Sequence, residues 1–214
     1  MTLNWQNMLE TVPAAILGLT IHEYSHALAA YKLGDTTARD QGRLTLNPLK
    51  HIDPLGLLLI VVAGFGWAKP VVFDSSRLKH KNRDEILIAL AGPFSNLLLG
   101  FVLVGIARLL FCFPWFSTTE AGFFITMLFI MWGIINFGLF VFNLIPIPPL
   151  DGSHLYMTYI SDVSPELMNR LYQIGTIALF AIIIIEDMAN ITIIPTNRMV
   201  SRITDLCISL FHFN

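Results

Sequence analysis

Long apolar runs separated by short basic stretches dominate this chain. Val12–Tyr31 is interrupted by His22, Glu23 and His26; Ile86–Phe113 carries one charge, Arg108, near its end; Ala121–Ile145 carries none. A helix that crosses a bilayer needs about 20 mostly apolar residues, so these three segments are expected to span. Leu171–Ile185 is shorter, but it gains the length if its helix starts at Pro165 with Ser164 as cap. Leu55–Gly66 is apolar over only about a dozen residues, the length of a segment that dips into a membrane and returns.

Charge supports that reading. Lys32, Arg39, Arg43 and Lys50 precede the short run, and Lys69, Arg77, Lys79, Lys81 and Arg83 follow it. Basic flanks mark the cytoplasmic side, and a segment with both ends there re-enters instead of crossing. The first helix then runs inward, the second outward, the third inward and the fourth outward. The loop Pro114–Thr119 has no Lys or Arg, as an outer loop should. Arg43–Leu46 and Lys69–Phe73 read as short strands, punctuated by Gly42, Pro48 and Pro70. The tail Thr196–Asn214 holds Arg198 and Arg202 before an apolar run of about 11 residues, too short to span and suited to the interface. The expected fold is an all-α polytopic membrane protein with about four spanning helices, a short re-entrant segment and minor β-strands. Residues 1–160 form its core; residues 161–214 add a spanning helix and an interfacial tail.

Composition narrows the function classes. Of 214 residues, 55% are hydrophobic and 13% charged, against roughly 45–50% and 25% in soluble domains. A net charge of −2 provides no basic field for nucleic acid. Two cysteines, Cys112 and Cys207, stand far apart and cannot build a thiolate zinc site, so any metal must use nitrogen and oxygen ligands. The start of the chain lacks the basic region of a cleavable signal peptide, and removal would discard the polar cluster of the first helix.

That cluster, His22-Glu23-Tyr24-Ser25-His26, carries the chemistry. Histidines four apart share a helical face and can reach one metal ion, while Glu23 sits off that axis, where a general base belongs. Ionisable groups inside an apolar span are costly and are functional by default. A buried hydrogen-bonding cluster and a metal-transport site would use the same residue types. A catalytic zinc site needs a third protein ligand. His51 lies in the basic loop, His80 sits between Lys79 and Lys81, and His212 is in the tail. Asp151 is the leading candidate, on a Gly-flanked turn after a proline-rich break at the end of the third helix. His26 lies six residues before Lys32, roughly 9 Å of helix from the inner surface. The depths are compatible if the loop carries Asp151 inward.

These motifs resemble the site-2 protease family of intramembrane zinc metalloproteases, in its compact bacterial branch. His22 to His26 matches the first family motif, Asn143 to Gly152 the second, and Gly92-Pro93-Phe94-Ser95-Asn96 the motif between them; Gly66 to Val71 is also similar. The resemblance covers roughly Thr11–Ile160. It implies one Zn2+ per chain held by His22, His26 and Asp151, Glu23 as catalytic base, and transmembrane protein substrates in a bacterial plasma membrane, with the site open to the cytoplasm. Some relatives carry PDZ or nucleotide-sensing domains, which are not expected here. Relatives often have a basic residue where His154 stands, and it is given no role. Asn143 is expected to bind substrate, Asn96 to bind substrate or join helices, and Asn136 to join helices. An unwound substrate is expected to pair with the edge of Gly64–Phe73. The competing readings are a catalytically silent zinc-binding scaffold and a metal transporter.

Overall fold

The computed structural model describes residues 5–63, 66–189 and 191–211. In chain order the helices are α1 (Trp5–Leu33), α2 (Thr37–Asp40), α3 (Pro54–Ala63), α4 (Lys81–Phe111), α5 (Pro114–Thr118), α6 (Glu120–Asn143), α7 (His154–Val163), α8 (Pro165–Ala189) and α9 (Thr196–Leu210). Among the described residues, α4, α6 and α8 are long and apolar enough to cross a membrane. The predicted first span lies within α1, which is helical throughout but carries the His-Glu-Tyr-Ser-His cluster at its centre.

Local sequence sets the helix ends. Gly34 adopts a left-handed φ of 110°, which only glycine accepts without strain. Around it Asp35 N–H donates to the Ala30 carbonyl at 2.9 Å and Gly34 N–H to that of Tyr31 at 3.2 Å, the paired bonds of a Schellman ending. The hydroxyl of Thr119 accepts from Gly122 N–H at 3.1 Å to start α6. Ser164 accepts from Leu167 N–H at 3.2 Å, with Pro165 opening α8, as the sequence predicts.

The centre is a three-helix unit of α1, α4 and α6. Small residues let the backbones approach. A Cβ on Gly133 would lie 3.1 Å from the Gly100 carbonyl oxygen, and one on Gly18 2.7 Å from Asn136 Oδ1. Such contacts favour helix association where no hydrophobic driving force acts between helices. Ala27 and Ala30 are fully buried, as close packing of α1 requires. At one end of the unit Ala30, Leu78 and Ile88 form a cluster; farther along, Val104, Phe137 and Cys207 form another. The second includes one face of α9. The tail helix, expected to lie in the interface, docks that face on α4 and α6, and Arg108 Nε donates to the Phe211 carbonyl at 3.0 Å.

The expected strands do not form among the described residues. Arg43–Leu46 and Lys69–Phe73 are extended or bent, and the antiparallel pairing there is an isolated bridge between Ile52 and Ala68. Pro48 opens a short turn, and Pro70 has no N–H to donate to a ladder. After α3 the chain comes back on itself: a Cβ on Gly56 would lie 3.0 Å from the backbone nitrogen of Trp67.

Asp35 ties the return path to the end of α1. Its buried carboxylate accepts from Thr37 N–H at 2.9 Å, from the Thr37 hydroxyl at 2.5 Å, and from Asp74 N–H at 2.7 Å. Burial alone would raise its pKa, but the Thr37 hydroxyl, the Asp74 and Thr37 amides and the Arg77 charge outweigh it and hold the carboxyl below its ordinary value. A depressed carboxyl stabilises the fold above its unfolded pKa of about 3.9, and that contribution fades as pH falls through the lower folded value. Asp35→Ala leaves buried N–H groups unpaired, at about 1–3 kcal/mol for each. Thermal unfolding in detergent is therefore expected to show a lower midpoint at pH 7, with the gap from the parent protein narrowing below pH ~4.

Candidate metal centre

The site is built on α1 and fixed from α4. His22, Glu23 and His26 are 5%, 7% and 9% exposed. The two imidazoles meet edge to face, with centroids 4.6 Å apart. Gly92 makes room for them, because a Cβ there would lie 2.7 Å from His22 Cε1 and nearer still to the His26 ring.

A chain of hydrogen bonds determines which ring nitrogens face the cavity. The Trp132 carbonyl accepts from Asn136 Nδ2 at 2.8 Å, which leaves Asn136 Oδ1 to accept from Asn96 Nδ2 at 2.9 Å. Asn96 Nδ2 also donates to the Gly18 carbonyl at 3.0 Å. Asn96 Oδ1 therefore faces His22 Nδ1, 2.6 Å away, and must accept from it. His26 Nδ1 lies 2.7 Å from the Ile88 carbonyl, which can only accept. Both rings thus carry a proton on Nδ1 and turn Nε2 inward.

Asp151 completes the set. It begins a short turn before α7, and Gly152 beside it presses against the end of α6, where a Cβ would lie 2.8 Å from the Ile145 carbonyl oxygen. This contact is how the loop carries the carboxylate inward. Asp151 Oδ2 lies 3.0 Å from His22 Nε2 and 3.5 Å from His26 Nε2. The atom is buried and makes no hydrogen bond among the described residues. Ligand atoms of the three residues lie within 4.8 Å of one another. With both Nε2 atoms unprotonated, their lone pairs and the carboxylate oxygen would repel unless a cation stood between them. Zinc bonds of about 2.0–2.2 Å in a tetrahedron place ligand atoms about 3.3 Å apart, close to both separations.

Glu23 stands beside this group but outside it, its Oε2 accepting from Val71 N–H at 2.8 Å. All four residues line a cavity of about 480 Å³, walled also by Trp67, Ala68, Pro70, Val71 and Phe73, by Asn143 from α6 and by Tyr172 and Phe180 from α8.

The remaining candidates separate. Asn143 faces the cavity while its Nδ2 donates back to the Leu139 carbonyl at 2.9 Å. Asn96 touches His22 and Asn136, and so holds the His22 ring as well as joining helices. His51 is buried against the Thr45 carbonyl and His80 is exposed at the start of α4; neither joins the cluster. His154 lines the cavity behind Asp151, and His212 lies outside the described residues. Sequence reasoning missed the close approach at Gly92 and the contact from Val71 to Glu23. The Gly-Pro-x-x-Asn motif was the one signal for the first; nothing local announces the second.

The profile of Peptidase family M50 matches residues 12–185. The chain belongs to this family. It is 44% identical over 137 residues to "Putative zinc metalloprotease YwhC" of Bacillus subtilis, covering 64% of this chain and 63% of that protein. It is 33% identical over 161 residues to "Putative zinc metalloprotease Rip2" of Mycolicibacterium smegmatis, covering 73% and 58%. A Rip2 of Mycobacterium tuberculosis is 30% identical over 175 residues, covering 79% and 63%. The chain spans about three-fifths of the length of these curated relatives. No solved structure matches it. M50 membership and three apolar helices make it a membrane protein, and His22, His26 and Asp151 form a cluster able to hold a metal ion.

Asn96 gives a direct test of the network in this M50 protein. Partners that orient a ligating histidine are worth about 10–100-fold in metal affinity. Asn96→Leu is expected to weaken zinc binding by about that factor, read by competition with a chelating dye; unchanged affinity would contradict the orienting role.

Proposed function

We propose that this chain is a zinc-dependent intramembrane endopeptidase, hydrolysing peptide bonds in or near the transmembrane segments of membrane-protein substrates. The observation that carries this reading is the convergence of two inward imidazole nitrogens and a carboxylate oxygen without a hydrogen bond among the described residues, beside Glu23 and inside an apolar helix bundle.

In this reading His22, His26 and Asp151 hold one zinc ion. When bound, zinc lowers the pKa of a coordinated water to about 7 and polarises a carbonyl. The Glu23 carboxylate is placed to accept a proton from water and to deliver it to the leaving amine. The Val71 N–H restrains one oxygen of Glu23, leaving Oε1 for the transfer. Asn143, on the cavity wall, donates to the substrate backbone. Trp67, Ala68, Pro70, Val71 and Phe73 line the same cavity on a segment outside any helix, so an unwound substrate segment lies alongside them.

The membrane arrangement belongs to the same proposal. α1 forms a fourth span with α4, α6 and α8. α3, at ten residues, dips in from the cytoplasmic side and returns. The basic flanks of α3 put the opening of the site toward the cytoplasm of a bacterial plasma membrane. Residues 1–160 make the catalytic core; residues 161–214 add α8 and the tail.

Co-expression with single-span membrane proteins, followed by mass spectrometry of the fragments, tests the reading. New ends are expected within or near the span, lost on zinc chelation and restored by added zinc. Cleavage only in distant loops, or cleavage that persists with the metal removed, would overturn it.

A further inference from the structure

Residues 66–74 are tied down at successive backbone groups. Ala68 bridges Ile52, Lys69 N–H donates to the His51 carbonyl at 2.8 Å, Val71 N–H donates to Glu23 at 2.8 Å, and Asp74 N–H donates to Asp35 at 2.7 Å. Between the second and third of these bonds the Lys69 carbonyl accepts from Arg43 Nη2. Arg43 is 6% exposed, rare for an arginine without a carboxylate partner. Its charge acts on Glu23, and its Nε, also buried, has no hydrogen-bond partner among the described residues. A buried guanidinium is costly, and a neutral amide would serve to hold a single carbonyl. The carbonyl it grips lies two residues before the amide that holds Glu23, and this, with its charge acting on Glu23, marks a use beyond packing.

We infer that Arg43 is a positioning residue for catalysis: by gripping the Lys69 carbonyl it fixes the segment whose Val71 N–H sets the orientation of the Glu23 carboxylate. This rests on Glu23 being the general base, as proposed above. Arg43 is neither one of the three clustered residues nor part of the cavity lining, so its loss acts through the Lys69–Val71 segment and through its charge on Glu23. Displacing a reacting group by about 1 Å costs about 10²-fold in rate.

The test uses full-length protein in proteoliposomes with a cleavable single-span substrate. Arg43→Gln is expected to keep about one zinc per chain, the three-ligand pattern, and an unchanged KM, while kcat falls about 10²-fold. Arg43→Lys, which keeps the charge and one donor, is expected to recover part of the loss. Val71→Pro, which deletes the N–H on Glu23, is expected to lower kcat similarly, and combining it with Arg43→Gln to lower it no further. Hydrogen exchange across residues 66–73 is expected to rise in Arg43→Gln with that around His22 unchanged. Normal kcat, a loss confined to KM, additive losses in the double variant, or unaltered exchange each overturn the inference. So does failure of both Arg43 variants to fold. A parent protein that cleaves nothing overturns the proposed function instead, and the exchange measurement still decides whether Arg43 holds the segment.

Discussion

Glu23→Gln is expected to lower peptide hydrolysis by about 10²–10⁴-fold, the usual contribution of a general acid–base group, with zinc content unchanged. The two halves of that expectation come from one geometry. Glu23 shares α1 with His22 and His26, yet it is not one of the three residues whose ligand atoms converge. Glutamine keeps the shape and a carbonyl oxygen to accept the Val71 N–H now held at 2.8 Å, so fold and metal survive. It cannot take up a proton at neutral pH. Quantifying substrate fragments in matched strains, alongside metal analysis of the purified proteins, reads both halves. Equal processing by the two proteins would remove Glu23 from the mechanism.

Gly92→Ala tests the site from the opposite helix. The added methyl would lie 2.7 Å from His22 Cε1 and closer to the His26 ring. Neither imidazole is free to retreat, because Asn96 holds His22 and the Ile88 carbonyl holds His26. The collision must part α1 from α4 or twist the rings. Overpacking of this kind costs about 1–3 kcal/mol, which is about 5–150-fold if it falls on metal affinity. Zinc affinity is expected to drop by that factor and activity with it. Gly138→Ala is the matched control, since a Cβ there meets nothing within 4 Å, and it is expected to bind zinc as the parent does. Equal affinity in all three proteins would show that α1 and α4 are not packed as described.

The metal site was legible early because its parts are written in strong local signals. A histidine pair four apart is a helical face, and ionisable groups inside an apolar run need a reason to be there. Asp151 was legible only as a candidate: its Asp-Gly turn is common, and Gly152 against the end of α6 is a tertiary contact that spacing does not reveal. Asn96 was left between two roles because the deciding fact is a relay from the Trp132 carbonyl through Asn136. The strands were misread for a related reason. Extended, proline-punctuated residues look like strands from their propensities, but pairing depends on a partner edge, and here side chains of Glu23, Arg43 and Asp35 take up that backbone instead. The tail showed an amphipathic stretch but not its destination, the Val104–Phe137 surface of α4 and α6.

X-ray absorption at the zinc edge, with metal content, on purified parent protein and on Asp151→Ala and His26→Ala tests the central claim most directly. The account predicts about one zinc per chain with two imidazole nitrogens and oxygen ligands at about 2.0–2.2 Å, and loss of that zinc in both variants. Undiminished zinc in Asp151→Ala, or a parent spectrum without two imidazoles, would contradict it.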